Sequence, residues 1–146
     1  MNLTIVSNLV MDTILGEDGI ATESIGGPPC YAGFTATNLG FTLNIVTRFG
    51  KDLKEEYTYI LNKRGITLGP SGMSSLPTTK FLIQTLGRSR MLSLESNCDK
   101  IRLTDVEHIK TDGWLVSPVF DEVPEAVFEY IRAVSYTHLR AHETSQ

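Results

Sequence analysis

The residues able to do chemistry gather near the start of the chain. Asp12 closes an apolar run that contains Leu3, Ile5, Val6, Leu9 and Val10. A carboxylate at the carboxyl end of a buried strand can accept hydrogen bonds from a ligand's hydroxyls, since open α/β sheets bind ligands at that edge. The competing reading is an aspartate that only starts a turn. Next comes Ile25-Gly26-Gly27-Pro28-Pro29-Cys30-Tyr31-Ala32 and, after a short apolar stretch, Leu39-Gly40. The glycine pair lets backbone approach a ligand and permits positive φ. A proline suits the first helical turn, and Gly40 supplies a C-terminal stop. The spacing predicts a glycine turn feeding a buried helix, with unpaired N–H groups facing out of the turn.

Other chemistries lack their residues. There is no G-x-x-x-x-G-K-[ST] phosphate loop and no G-x-G-x-x-G. Ser71, in Gly69-Pro70-Ser71-Gly72, does not sit in a nucleophile elbow. Cys30 and Cys98 are too few for a disulfide framework, and Cys30 reads as a small buried hydrophobe without an activating neighbour. His138 and His142 have the i, i+4 spacing of a metal pair on a helix. They fall, however, in Val134-Ser135-Tyr136-Thr137-His138-Leu139-Arg140-Ala141-His142-Glu143-Thr144, which resembles the translation of a transposase adapter used in sequencing libraries. Residues 134–146 are therefore expected to be an artefactual tail and are set aside. His108 lies in a polar segment and reads as a surface side chain, so no metal site is expected.

The chain has 146 residues, 41% of them hydrophobic, with a formal net charge of −4. That length suits one domain. The acidic balance, with no Lys/Arg cluster beyond Arg88-Ser89-Arg90 in a solvated turn, argues against nucleic acid as a partner. No apolar run approaches a membrane span, and the start lacks the basic and apolar regions of a signal peptide, so a cytoplasmic location is expected.

The elements that must position these residues alternate in type. Residues 2–10 read as a strand buried on both faces. Residues 13–24, with a turn at Gly16-Glu17-Asp18-Gly19, read as a hairpin. After the glycine helix, residues 42–47 form a second core strand. Asp52 is expected to cap a helix whose apolar stripe is Leu53, Tyr57, Ile60 and Leu61. Residues 66–68 read as a short third strand. A second hairpin spans 78–95 around Gly87-Arg88-Ser89. Thr104-Asp105-Val106-Glu107 has a capping-box pattern that should start a short helix. Trp114-Leu115-Val116 is another buried strand, with Ser117-Pro118 at its end, and Pro124 opens a last helix. Alternating strands and helices predict a parallel sheet with right-handed crossovers. The two hairpins, both inserted between α/β units, could pair into one small β-structure beside that sheet.

Gly26-Gly27-Pro28-Pro29-Cys30-Tyr31-Ala32 through Leu39-Gly40, then Val46-Thr47-Arg48-Phe49-Gly50-Lys51-Asp52 and Arg64-Gly65-Ile66, resembles the first signature of the PfkB/ribokinase family of sugar and nucleoside kinases. The resemblance spans residues 1–133. It implies a ribokinase-like doubly wound parallel α/β sheet, here incomplete, with a small β-hairpin lid built from 13–24 and 78–95. It implies transfer of the γ-phosphoryl of ATP, with Mg2+, to a hydroxyl of a sugar, polyol or nucleoside. By the same resemblance Asp12 accepts hydrogen bonds from substrate hydroxyls and Gly26 and Gly27 bring backbone to the substrate. Glu122, in Asp121-Glu122-Val123-Pro124, resembles a substrate-facing glutamate. Lids in such proteins sometimes pair between subunits, which raises the expectation of a homodimer.

Tyr31 stands where family members commonly have asparagine. It could mark altered substrate recognition, or simply pack on the glycine helix. The family's anion hole, general-base aspartate and ATP-binding loops would lie beyond this chain, so catalytic residues are expected to be absent and the fragment inactive. The competing reading, from another class, is a non-catalytic polyol-binding or assembly module on the same fold.

Overall fold

The computed structural model describes residues 1–135. The elements run β1 (Asn2–Val6), β2 (Val10–Leu15), β3 (Ala21–Gly26), α1 (Pro28–Asn38), β4 (Thr42–Val46), α2 (Glu55–Lys63), β5 (Thr79–Leu86), β6 (Ser89–Ser96), β7 (Gly113–Val116) and α3 (Glu125–Val134). They form two sheets. The first is parallel, in the order β4-β1-β7. The second is mixed, in the order β3-β2-β5-β6.

Helices cover both faces of the parallel sheet. On one face Val6 and Val46 pack with Ile101, Val106 and Val123 against Val127 and Ile131 of α3. On the other, Leu43 and Ile45 pack with Cys30 of α1, Leu61 of α2 and Ile66. The central strand is accordingly buried on both faces, with Thr4, Ile5 and Val6 all at 0% exposure, whereas edge strand β4 exposes Thr42 and Asn44. The helices approach closely. A Cβ on Gly33 of α1 would come within 2.8 Å of Ile66 Cδ1.

The second sheet joins the two hairpins. β2 pairs antiparallel with β3 and β5 with β6, and the hairpins fuse through parallel pairing of β2 with β5. The two excursions expected from the sequence thus make one four-stranded lid beside the parallel sheet.

Four local expectations are corrected. Residues 2–10 are not one strand: β1 ends at Val6 and β2 begins at Val10. The Ser7 N–H still bonds to Val46 O, but the next two donors turn to side chains, Asn8 N–H to Glu122 and Leu9 N–H to Thr47 Oγ1. With the ladder broken, the chain swings into the lid, and Asp12 lies within β2 rather than at the end of a core strand. Residues 66–68 are not a strand either. The Ile66 N–H closes the end of α2 on Leu61 O, beside Gly65 at φ 82°, so it is withdrawn from any sheet ladder.

Asp52 does not cap α2, whose N-cap is Lys54. Its Oδ1 instead accepts the N–H and hydroxyl of Thr78 at 2.9 and 2.8 Å, and its Oδ2 faces Lys80 Nζ at 2.8 Å. The expected helix at 104–107 is a single 3-10 turn, Leu103–Asp105, closed by Arg102 N–H on the Asp105 carboxylate. Within the apolar stripe of α2, Tyr57 and Leu61 are buried but Ile60 is exposed.

Candidate functional site

Asp12 sits in the middle of β2, opposite Ser24 of β3 and Phe81 of β5. Gly26 ends β3 and Tyr31 lies in the first turn of α1, so three consecutive elements converge. A Cβ on Gly26 would stand 2.7 Å from Asp12 Oδ2 and 3.4 Å from the Tyr31 hydroxyl. The bare face of Gly26 is therefore the space that the carboxylate and the phenol share. Gly27, at φ 89°, caps α1, and a Cβ there would lie 3.0 Å from Asn8 O. The glycine pair has two roles: Gly26 leaves room for the carboxylate and Gly27 makes the turn.

A cleft of about 280 Å³ opens beside this point, lined by Val10, Asp12, Gly27, Pro28, Phe81, Pro118 and Val119. Its walls are apolar apart from Asp12 and backbone. A larger groove, about 610 Å³, runs along β4 past Thr67, Ser71, Asp105 and exposed His108, and none of the residues expected to be substrate ligands lines it. Of the expected substrate ligands, Asp12 and Gly27 line the smaller space.

Burial holds the Asp12 carboxyl above the ordinary aspartate range, and the positive charge of Arg90 pulls part of the way back. In the β5–β6 ladder Arg90 pairs with Thr85, while Phe81 opposite Asp12 pairs with Leu94, which places Arg90 and Asp12 on one face of the lid. Burial, with the Asp12 charge nearby, pushes the Cys30 thiol up to about 12. At neutral pH it is a protonated, inert packing residue.

Tyr31 is 64% exposed, which overturns the reading of it as core packing. The expectation of free N–H groups at the start of α1 is overturned as well. Pro28 and Pro29 have none, and the N–H groups of Cys30 and Tyr31 are both taken by Gly27 O, at 3.0 and 3.1 Å. This helix start cannot cradle a phosphate.

Glu122 lies apart from the Asp12–Gly26–Tyr31 convergence. It is 2% exposed, and its carboxylate accepts the N–H groups of Asn8 at 2.9 Å, Val119 at 2.7 Å and Phe120 at 2.9 Å. It ties down the loop after β7 that brings Pro118 and Val119 to the cleft. Phe81, Pro118, Val119, Arg90 and Asn8 were not singled out from the sequence. Only Pro118, at the carboxyl end of a predicted strand, carried a local signal.

Among the described residues no three His, Cys, Asp or Glu side chains gather as a metal site needs. His138 and His142, with most of the adapter-like tail, lie outside the described residues. Among the described residues no helix is long and apolar enough to cross a membrane.

No protein-family model matches the chain, and no curated protein sequence matches it. Solved structures do. A sulfate complex of a pyrophosphate-dependent kinase in the ribokinase family superposes with a TM-score of 0.77 at 18% identity, covering 90% of this chain and 47% of that one. A pyrophosphate-dependent kinase in the same family, complexed with a pyrophosphate analog and myo-inositol, gives 0.74 at 18% identity over 90% of this chain and 45% of that one. Ribokinase from Cryptococcus neoformans var. grubii serotype A in complex with ADP gives 0.70 at 16% identity over 95% and 47%. The fold is thus the ribokinase-like α/β fold, and the chain spans about half the length of the solved structures it matches.

Proposed function

We propose that the chain is the substrate-binding, lid-bearing N-terminal part of a kinase that phosphorylates a hydroxyl of a sugar, polyol or nucleoside. The observation that carries this reading is the meeting of the Asp12 carboxylate and the Tyr31 hydroxyl over the bare face of Gly26, where the strands of the four-stranded lid meet the start of α1. A carboxylate accepts from two hydroxyls at once and the phenol donates to or accepts from a third. The glycine pair lets a ring lie against backbone. The lid's Phe81 and the wall residues Pro118 and Val119 would exclude water from the reacting hydroxyl. In this proposal Asp12, Gly26, Gly27 and Tyr31 touch substrate, and Glu122 serves it by holding the wall.

Phosphoryl transfer needs the γ-phosphate positioned and its charge offset. The start of α1 has no free N–H row to cradle a phosphate. The proposal therefore assigns ATP and Mg2+ to the rest of a longer protein and expects this chain alone to bind without turnover. Two of the structural neighbours described above are pyrophosphate-dependent kinases, which makes pyrophosphate the second donor to try. Exposed Ile14, Leu92 and Leu94 on the lid support pairing of lids between two copies. We further propose that residues 134–146 derive from adapter sequence and that the protein is cytoplasmic.

The test is to extend the reading frame in the source DNA, express the full-length protein, and assay ATP and pyrophosphate with myo-inositol, ribose and adenosine. Turnover that falls at least about a hundredfold on Asp12→Asn is expected, because two charge-assisted hydrogen bonds are lost. A natural stop codon near Ala133, or turnover indifferent to Asp12→Asn, would sink the proposal.

A further inference from the structure

The lid and the parallel sheet meet at a joint that the chain crosses between β1 and β2, between β3 and α1, on entering β5 and on leaving β6. Asn8 occupies the first crossing and is 1% exposed. Its N–H donates to Glu122 Oε2 at 2.9 Å, its Oδ1 accepts the Arg48 N–H at 2.8 Å, and its Nδ2 donates to Asp99 O at 3.2 Å. Each partner belongs to a different part of the molecule. Arg48 follows β4, and Asp99 follows the last lid strand. Glu122 shares its carboxylate with Val119 and Phe120, in the loop that walls the cleft. The Asn8 carbonyl packs against the glycine turn, 3.0 Å from where a Gly27 Cβ would be. A side chain that both donates and accepts is needed here: aspartate lacks the donor, and serine is too short to reach both sides.

We propose that the Asn8 side chain is a positioning group for the Asp12 cleft: by bridging the Arg48 N–H after β4 and the Asp99 carbonyl after β6, it fixes the angle at which β2 leaves β1, while the backbone N–H of the same residue, which any residue would supply, meets Glu122. This rests on the reading of the cleft as a hydroxyl-binding site. Substrate would feel Asn8 only through the placement of Asp12. The lid amides and the carboxyl of Asp12 would feel it with no substrate present.

The experiment uses the 146-residue chain with Asn8→Ala and the isosteric Asn8→Asp, which keeps the Arg48 acceptor. Amide hydrogen exchange is followed strand by strand, and the Asp12 side-chain carboxyl is titrated by carbon NMR. The expected result is exchange about tenfold faster in β2 and β5 with β1 and β4 unchanged, together with an Asp12 midpoint that falls toward the ordinary carboxylate range as its burial is lost. Lid and core loosening together, or an Asp12 midpoint that stays put, would overturn the proposal. So would failure of both variants to fold, since Asn8 would then be a folding residue. A separate arm titrates the full-length protein with myo-inositol, ribose and adenosine. If the wild type binds none of them, the reading of the cleft fails, while Asn8's control of Asp12 is still judged by the first arm.

Discussion

The two sheets solve opposite problems. The parallel sheet is held by apolar contact on both faces, with Ile5, Val6, Leu61 and Ile66 at 0–1% exposure. The lid leaves Ile14 at 40% and Leu92 at 64% exposed, and besides the packing of Ile25 on the Cys30–Leu61–Ile66 cluster it is tied to the rest of the chain by polar groups. Besides Asn8, the Thr78 hydroxyl at the entry to β5 accepts the Gly50 N–H, while Ser96 Oγ donating to Thr78 O and the Cys98 N–H donating to Thr79 Oγ1 close the base of the β5–β6 hairpin. Apolar packing stabilises without fixing direction, whereas hydrogen bonds fix direction and add less. The parallel sheet relies on the first, and the joint to the four-stranded sheet adds the second.

The largest expected effect lies in the body. Leu61 is fully buried between α2 and the sheet. Leu61→Ala should cost about 2–5 kcal/mol and lower the melting of the whole chain, read by calorimetry. Leu92→Ala on the lid should stay within about 0.5 kcal/mol. Comparable losses at both sites would erase the distinction between the sheets.

The joint comes next. Thr78→Val keeps the shape but removes the hydroxyl that binds Asp52 and Gly50, and should cost about 1–3 kcal/mol, with faster hydrogen exchange in β5 ahead of β1. The partner carboxyl adds a pH signature. Burial raises the Asp52 pKa, but the Lys80 ammonium and the N–H and hydroxyl of Thr78 outweigh it and leave it below the ordinary aspartate value. A depressed carboxyl stabilises the fold above its unfolded pKa, so this contribution is present above about pH 4 and is lost as acid protonates it. Asp52→Asn should flatten the acid limb of the stability curve, a change that melting across the acid range, from about pH 2 to 5, would reveal.

The division also decides what could be read from sequence. The parallel sheet was legible from two patterns: the apolar run of the central strand, and in β4 the alternation of Leu43 and Ile45 with exposed Thr42 and Asn44. The lid hairpins were legible from their glycine turns, Asp12 stood out at the end of an apolar run, and Gly26 and Tyr31 lay in the glycine stretch, Tyr31 as a departure from the pattern it resembles. The joint was not. Asn8 lies inside an apolar run, and only its partners, roughly forty to more than a hundred residues away, turn that run into a break. Asp52 looked like a helix cap because sequence shows the nearest helix, not the Thr78 that folds back onto it. Residues 66–68 had strand composition, but the end of α2 claimed their first N–H.

The smallest effect separates the two acidic side chains of the lid and its joint most sharply. Asp12 is the reverse of Asp52: burial raises its pKa, so the ionised form is the less comfortable one in the folded state. A raised carboxyl favours the fold while protonated and loses that advantage as pH rises through its folded value. Asp12→Asn should therefore leave stability unchanged or slightly improved above about pH 5, the opposite sign to Asp52→Asn under acid, while the same change swaps the charged two-oxygen acceptor in the cleft for an amide with one neutral acceptor oxygen. Melting of Asp12→Asn against wild type from about pH 4 to 8 checks the sign. A loss of stability at neutral pH would mean that the Asp12 carboxylate is holding the lid together, and the cleft would then be a structural joint like the one at Asp52.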